Sequence, residues 1–525
     1  MASGARTRTR WSALAASALI QCFAGASYCF GIYSPALKSS QGYDQSQLDT
    51  VAFFKDVGAN AGVLSGLLAA FSFHERRLAG ALPCQPHKDY TVFSAVGSTW
   101  THTSRLTSHC KLTLHSTCPS YDQAQPIIAL LFVSLFFGML LLVSWSGFLG
   151  LSGAILVQVQ HNLRIDAGNF ILMLAILPTA ITLLVIYFVD IHRAHLRYNK
   201  KFLDAFSLIA VTVAGYLMVT IICDQVFVIS SAVQSVCFMI LLLLIMSPVA
   251  VVFKAQKTES KQGEEACLEE ERTGLLCEET VENSENGPVG SGQDISPDKE
   301  NLNLVQAMCK LNFWLLFLAM ACGMGSGMAT VNNISQIGGS LGYTSREVST
   351  LVSLWSIWNF SGRFGAGYIS DHFLRSRGVA RPFFMAATLL VMSVGHAIIS
   401  SGLPASLYIG SVLVGLCYGS QWSLMPTITS EIFGLNHFAT IFYTVAVASP
   451  VGSYILSVRV IGYIYDNETP RGELACIGKH CFALSFMIMT CVCVFGSAVA
   501  LVLFIRTRKF YRQVIYARLM PFVEK

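Results

Sequence analysis

The sequence predicts an all-α polytopic membrane protein with about twelve transmembrane helices. Three observations lead there. The 525 residues are 53% hydrophobic and only 12% charged, with a mean hydropathy of +0.56. A soluble domain carries about 25% charge, and a long chain this poor in charge cannot cover its surface with polar groups. The apolar residues also come in runs close to the roughly 20 residues that a helix needs to cross a bilayer. Finally, charge is partitioned: thirteen of the 30 acidic residues lie between Glu259 and Glu300, leaving 32 basic and 17 acidic residues elsewhere. That basic excess falls in short loops, where it can set orientation.

Taken in order, Arg6, Arg8 and Arg10 precede a run, 11–34, that is too long for a signal-peptide core and reads as a retained first span. Runs at 50–73, 126–158, 168–190, 203–224 and 226–252 complete a first half; the third is longer than one crossing needs. Residues 253–310 are polar, acidic and interrupted by Gly-Pro and Ser-Gly, and read as a disordered cytosolic linker. The second half offers runs at 311–334, 347–369, 383–401, 405–429, 438–461 and 481–505. If the N-terminus is cytosolic, the basic stretches 74–125, 193–201, 375–381 and 506–512 all fall on its side of the membrane, with the linker and the C-terminus. The opposite face then receives the sequon Asn467-Glu-Thr, a candidate glycosylation site. Many of the sixteen cysteines, such as Cys22, Cys29, Cys223, Cys237 and Cys417, sit in apolar runs and behave as small hydrophobes. Cys476 and Cys481 flank a short loop on the non-cytosolic face and are candidates for a disulfide.

Several residues inside the runs are candidates for more than packing. Lys55 and Asp56 open the second span; charge inside a membrane is costly and marks a functional candidate, although lysine near a helix end can snorkel to the interface. Gly58, Gly62 and Gly66 recur every four residues and give that span a smooth packing face. Gly323, Gly325 and Gly327, followed by Asn332 and Asn333, are expected to interrupt the seventh span, as broken helices do around solute sites. Tyr418, Gln421 and Trp422, with Gln21, Tyr28 and Tyr33 on the first span, could complete a polar cavity. Arg363 is the strongest candidate for a cation buried among helices, binding an anionic solute or pairing with a carboxylate such as Glu431. Cys84-x-x-His87 and His115-x-x-Cys118 have spacing a zinc ion could use, but read alone this is a weak signal, and no metal or other cofactor is expected.

A family resemblance adds to this reading. Arg10-Trp11, Ile20-Gln21, Gly25, Tyr28, Phe30-Gly31, Tyr33-Ser34, Leu37-Lys38, Tyr43 and the Lys55-Asp56-Val57-Gly58 segment resemble the opening of the plant nodulin-like transporters, the nuclear-fusion-defective-like proteins of the major facilitator superfamily. Gly147–Ile155 and Ile171–Pro178 are similar to later parts of that domain, and Gly362–Asp371 and Pro426–Gly434 to the facilitator-type second domain. The resemblance implies a nodulin-like N-terminal domain at 10–252 and a facilitator C-terminal domain at 311–510, two helical bundles whose family plan has about fourteen crossings. Residues 74–146 do not follow the family pattern and read as a divergent segment, such as a retained intron or a gene-model artefact would leave. The resemblance also implies a conformational switch: Asp371, followed by Arg375, Arg377 and Arg381, would form a breakable ion pair at a helix end with one of these cations, the partner left open, and with Glu431 nearby.

No phosphate-cradling or hydrolase fingerprint appears in a suitable context, so neither an enzyme nor an ATP-driven pump is expected. The reading is a secondary transporter or facilitator of a small polar or anionic solute, with Asp56 and Glu431 as candidates for proton coupling and no nucleic-acid partner. Plasma membrane and vacuolar or other endomembranes both fit. Two other readings stay open: a non-transporting receptor or assembly protein, and an inactive product of a faulty transcript.

Overall fold

A computed structural model describes residues 10–59, 138–185, 200–227, 230–274, 302–470 and 475–516, and these are almost entirely helical. Among them, eight helical segments are long and apolar enough to cross a membrane. Their outward faces are apolar as well: Leu184, Leu208 and Leu243 are 77%, 68% and 70% exposed. A water-facing surface would not carry such residues on segment after segment. The protein is an integral membrane protein.

The first apolar run is not one straight helix. α1 (Arg10–Phe23) gives way to a 3-10 turn (Ala26–Cys29), after which α2 (Phe30–Gln41) resumes. The break falls at Gly25, packed so tightly on α4 (Gly138–Leu163) that a Cβ there would lie 1.6 Å from the Ser152 hydroxyl. α2 stops at Gly42, whose φ of +66° is the left-handed conformation that favours glycine. α3 (Gln45–Ala59) follows, and α5 (Ala167–Val185), α6 (Lys200–Val226) and α7 (Ser231–Gly274) complete the first half.

The first correction concerns the linker. Residues 253–274 were expected to be disordered but continue α7 as helix. Their lysines, glutamates, glutamines and alanines are strong helix formers, and an existing helix is cheap to extend. Residues 275–301 lie outside the described residues, as do 60–137, which include Gly62, Gly66, the Cys/His pairs and the start of the third run.

The second half begins with α8 (Leu304–Met308), α9 (Leu311–Asn332) and α10 (Ile334–Ser340). The long α11 (Ser345–Arg377) starts at a Thr344–Glu347 capping box and ends at Gly378, with φ +63°. At 33 residues it is roughly 50 Å long and runs through the whole bundle. α12 (Pro382–Ser401) and α13 (Ser406–Phe433) pack beside it. α14 (Phe438–Ala446), α15 (Ala448–Ser453), a π-helical stretch (Tyr454–Gly462) and α16 (Tyr463–Glu468) form one irregular span, and α17 (His480–Phe510) closes the fold.

A second correction concerns Gly323, Gly325 and Gly327. They do not interrupt their span; α9 is continuous through them and breaks only at Asn333, with φ −101°. Their role is close approach: a Cβ on Gly325 would lie 2.5 Å from the Gly452 backbone. Packing of neighbouring helices compensates for their low helix propensity.

Among the described residues two large hydrophobic cores result, one for each half, beside a small cluster of Leu374, Ala380 and Tyr511. They interlock, because Tyr28 and Val157 of the first half join the second core while Ile357 and Phe360 of the second half join the first.

Candidate functional site

Trp355, Asn359 and Arg363 follow one another at four-residue intervals on α11 and so share one helix face. Arg363 is 4% exposed. Its Nε donates to Asn359 Oδ1 at 3.0 Å, and its Nη2 donates to the Tyr28 hydroxyl, across the division between halves, at 3.0 Å. The guanidinium lies 5.4 Å from the Trp422 ring centroid on α13, a cation–π arrangement. Tyr28 and Tyr418 both pack on Trp355, with centroids 5.2 and 5.1 Å away. A single cation thus sits in an aromatic cage built from both halves.

Glu431 is not its partner, contrary to the sequence expectation. Among the described residues no carboxylate pairs with Arg363. Buried polar atoms without a hydrogen-bond partner among the described residues include Trp355 Nε1, Asn359 Nδ2, Gln421 Oε1 and Gln21 Oε1. Such atoms are costly to leave unpaired in a folded interior. Tyr33, grouped with these residues from the sequence, instead packs edge-on against Phe30 in the first-half core.

A second cluster joins the halves toward one end. Lys55 does not snorkel; it and Asp56 are buried, and they pair at 3.1 Å. Lys55 Nζ also donates to the Ser27 carbonyl at 2.9 Å and to Asn332 Oδ1 at 2.6 Å, and lies 5.0 Å from the Phe30 ring centroid. Asp56 Oδ2 accepts from Asn332 Nδ2 at 3.0 Å and from the Ser453 hydroxyl at 2.9 Å. Asn333 accepts from Gln45 Nε2 and donates to Ser457, both at 2.8 Å. Farther out, Asp466 receives the first amides of α3, Gln45 N at 2.8 Å and Ser46 N at 3.0 Å, with the Ser46 hydroxyl at 2.7 Å. It caps a helix of the other half, where a carboxylate is favoured by the helix dipole. Arg346 pairs with Asp224 at 2.8 Å, and Gln225 donates to Thr350, at the same end.

The third cluster lies at the opposite end of α11, within the second half. Asp371 pairs with Arg381, not with Arg375 or Arg377. Arg381 also bonds Glu431 at 2.8 Å and Ser370 at 2.8 Å, while Tyr511 donates to Glu431 at 2.8 Å. Burial raises the Glu431 carboxyl above the usual carboxylate range, opposed by Arg381 and the Tyr511 hydroxyl. Burial also works against the Arg381 charge, but Glu431 and Asp371 outweigh it. Arg375 and Arg377 are exposed, and Arg377 stacks over Phe373 at 5.5 Å. The tight turn after Gly378 explains the choice among the three arginines: it brings Arg381 back against α11, while Arg375 and Arg377 project from the last helical turn into solvent.

Cys476 and Cys481 form a disulfide, and Asn467 is exposed on α16. Gly58 lies on α3, one residue from its end. Sequence reasoning missed Trp355, Asn359, Ser453, Gln45 and Asp466. The i, i+4, i+8 spacing to Arg363 could have found the first two; no local signal marks the others, because their partners are hundreds of residues away.

The Nodulin-like family profile matches residues 10–82 and 138–253, and the NFD4 C-terminal domain profile matches 299–513. The unmatched residues 83–137 fall inside the divergent segment. Protein NUCLEAR FUSION DEFECTIVE 4 of Arabidopsis thaliana is 28% identical over 39% of this chain and 36% of its own length. A probable transporter MCH1 of Yarrowia lipolytica is 27% identical over 37% of this chain and 42% of its own. The uncharacterized MFS-type transporter YhjX of Escherichia coli is 24% identical over 30% and 38%. The chain therefore spans well under half the length of these relatives in each match.

Proposed function

We propose that this chain, which belongs to the nodulin-like family of the major facilitator superfamily, moves a small polar or anionic solute across a membrane by alternating access. One observation carries the reading: Arg363 is buried at the contact between the two halves with no carboxylate beside it among the described residues. An unpaired buried cation is expensive, and a site that both halves build around it is where an anion would recover that cost. The aromatic walls formed by Tyr28, Trp355, Tyr418 and Trp422 exclude water and strengthen the attraction. Hydrogen bonds clustered toward one end of the interface support reading this arrangement as closed at that end. Under the positive-inside reading the clasped end is the non-cytosolic one, with the termini and the linker in the cytosol.

The test is uptake by proteoliposomes containing the parent protein, Arg363→Ala or Arg363→Lys, assayed with a panel of radiolabelled small organic anions. The expected outcome is flux in the parent and a loss of roughly 10- to 100-fold in Arg363→Ala, as for removal of one charged hydrogen-bonding partner. Unchanged flux in a folded Arg363→Ala protein would remove Arg363 from the pathway. Absence of flux in the parent for every member of the panel favours the non-transporting reading.

A further inference from the structure

The unpaired polar groups of the cage around Arg363 are donors. Among its buried atoms without a hydrogen-bond partner are Trp355 Nε1, Asn359 Nδ2 and Trp422 Nε1, with the Tyr418 hydroxyl beside them. Indole and amide nitrogens only donate; the hydroxyl serves either way. Chemistry fixes the orientation of the Asn359 amide. A guanidinium has no acceptor, so the atom that faces Arg363 Nε at 3.0 Å is oxygen, and the nitrogen is the one left over. Arg363 itself spends one N–H on Asn359 and one on Tyr28, and its fork holds more. Tyr28, in accepting that bond, turns its own proton away from the guanidinium.

The buried acceptors lie elsewhere. Gln421 is turned toward α9 and α12: its Nε2 donates to Met392 Sδ at 3.5 Å, and a Cβ on Gly323 would lie 2.2 Å from its Oε1. Gln21 stands before the break at Gly25, roughly 10 Å along the chain from Tyr28. The Asp56 carboxylate is held by Lys55, Asn332 and Ser453.

We infer that the solute of this cage is a small monovalent oxyanion that brings acceptors only, and that Asn359 and Trp422 are the residues that select it. A carboxylate without N–H or O–H groups, or nitrate, has this chemistry. The inference rests on the transport reading in taking the cage as the solute site. One guanidinium supplies one charge, so a second carboxylate on the solute would be buried unpaired. The lone pairs of a single oxyanion are met by Arg363, Asn359 and the indole N–H groups. A solute ammonium would carry donors into a ring of donors, and the Arg363 charge would repel it. Selection then comes from what the cage lacks as well as from what it holds.

Thermal unfolding of the detergent-purified full-length protein measures binding without flux, since a ligand of the folded state raises the midpoint with its concentration. The protein is titrated near neutral pH, at constant ionic strength, with sodium propanoate, nitrate, malonate or L-alanine. Propanoate and L-alanine share a carbon skeleton and differ by one ammonium. Propanoate is expected to bind roughly 100-fold more tightly than L-alanine or malonate, the penalty for burying an unmatched charged group. Trp422→Phe keeps a ring at Arg363 and removes one N–H, so propanoate affinity is expected to fall about threefold to tenfold. Asn359→Asp keeps the shape of the side chain but hands Arg363 a carboxylate. It is expected to fold, because the new charge is paired from the start, and to lose roughly 100-fold in propanoate affinity. L-alanine or malonate bound as tightly as propanoate overturns the proposal. So does failure of both propanoate and nitrate to bind the parent, or propanoate affinity unchanged in either variant. Flux in proteoliposomes separates the two readings. Propanoate preference in a protein that carries nothing supports the ligand class and defeats transport, whereas L-alanine carried as well as propanoate defeats the class and leaves transport standing.

Discussion

The two buried charge clusters make opposite uses of similar residues. Lys55–Asp56 is tied to Asn332 and Ser453 and so joins the first half to the second. Arg381 with Asp371, Glu431 and Tyr511 joins four positions that all belong to the second half. The first cluster reports on the relation between the bundles, and the second on the shape of one bundle. They differ in burial too. Asp56 is fully buried, whereas the Asp371 side chain is 49% exposed, so solvent screens the second cluster and not the first. Under the proposed alternating-access cycle, a buried pair that spans both halves has to be dismantled each time they separate; a pair within one half does not.

That comparison can be broken most directly at Asp56. Asp56→Ala leaves the Lys55 charge buried without its counter-ion and is expected to cost about 3–5 kcal/mol, read as a fall in thermal unfolding temperature of the detergent-purified protein. A cost within error of zero would mean that Lys55 finds another partner and that the halves are held by other contacts. Arg381→Ala should be milder, about 2 kcal/mol, since one of its two carboxylate partners is half exposed. Here the location of the effect matters more than its size: exchange protection should fall around 370–384 and 428–433 and stay unchanged in α3. Loosening of α3 in Arg381→Ala would show that the clusters are coupled. Asp466→Ala removes a cap supplied across the interface and is expected to cost about 1 kcal/mol, with exchange raised at the first amides of α3 alone.

Much of this was legible in the sequence, though unevenly. Arg363 could be singled out because a lone arginine in an apolar run has few reasons to be there. Its environment could not, since Tyr28 and Tyr418 lie 335 residues before it and 55 after it in the chain. Lys55 and Asp56 were visible as charges but were placed at a helix end; the burial arises from Asn332, whose helix packs from the other half. Asp371 was read with three candidate arginines, Arg375, Arg377 and Arg381, and only the turn at Gly378 decided that Arg381 is its partner. The glycines of α9 suggested a break because glycine weakens helices, and the structure uses them for contact with Gly452.

By itself, the sequence determined that this chain enters a membrane as many helices in two halves, because hydropathy is a sum over local residues and needs no partner. It also determined which few charged side chains pay for being there. Only the tertiary structure decided what each of those charges meets. Pairing in a low-dielectric interior depends on ångström distances between helices far apart in the chain, and so Arg363 is left with aromatic rings while Lys55 is given a carboxylate.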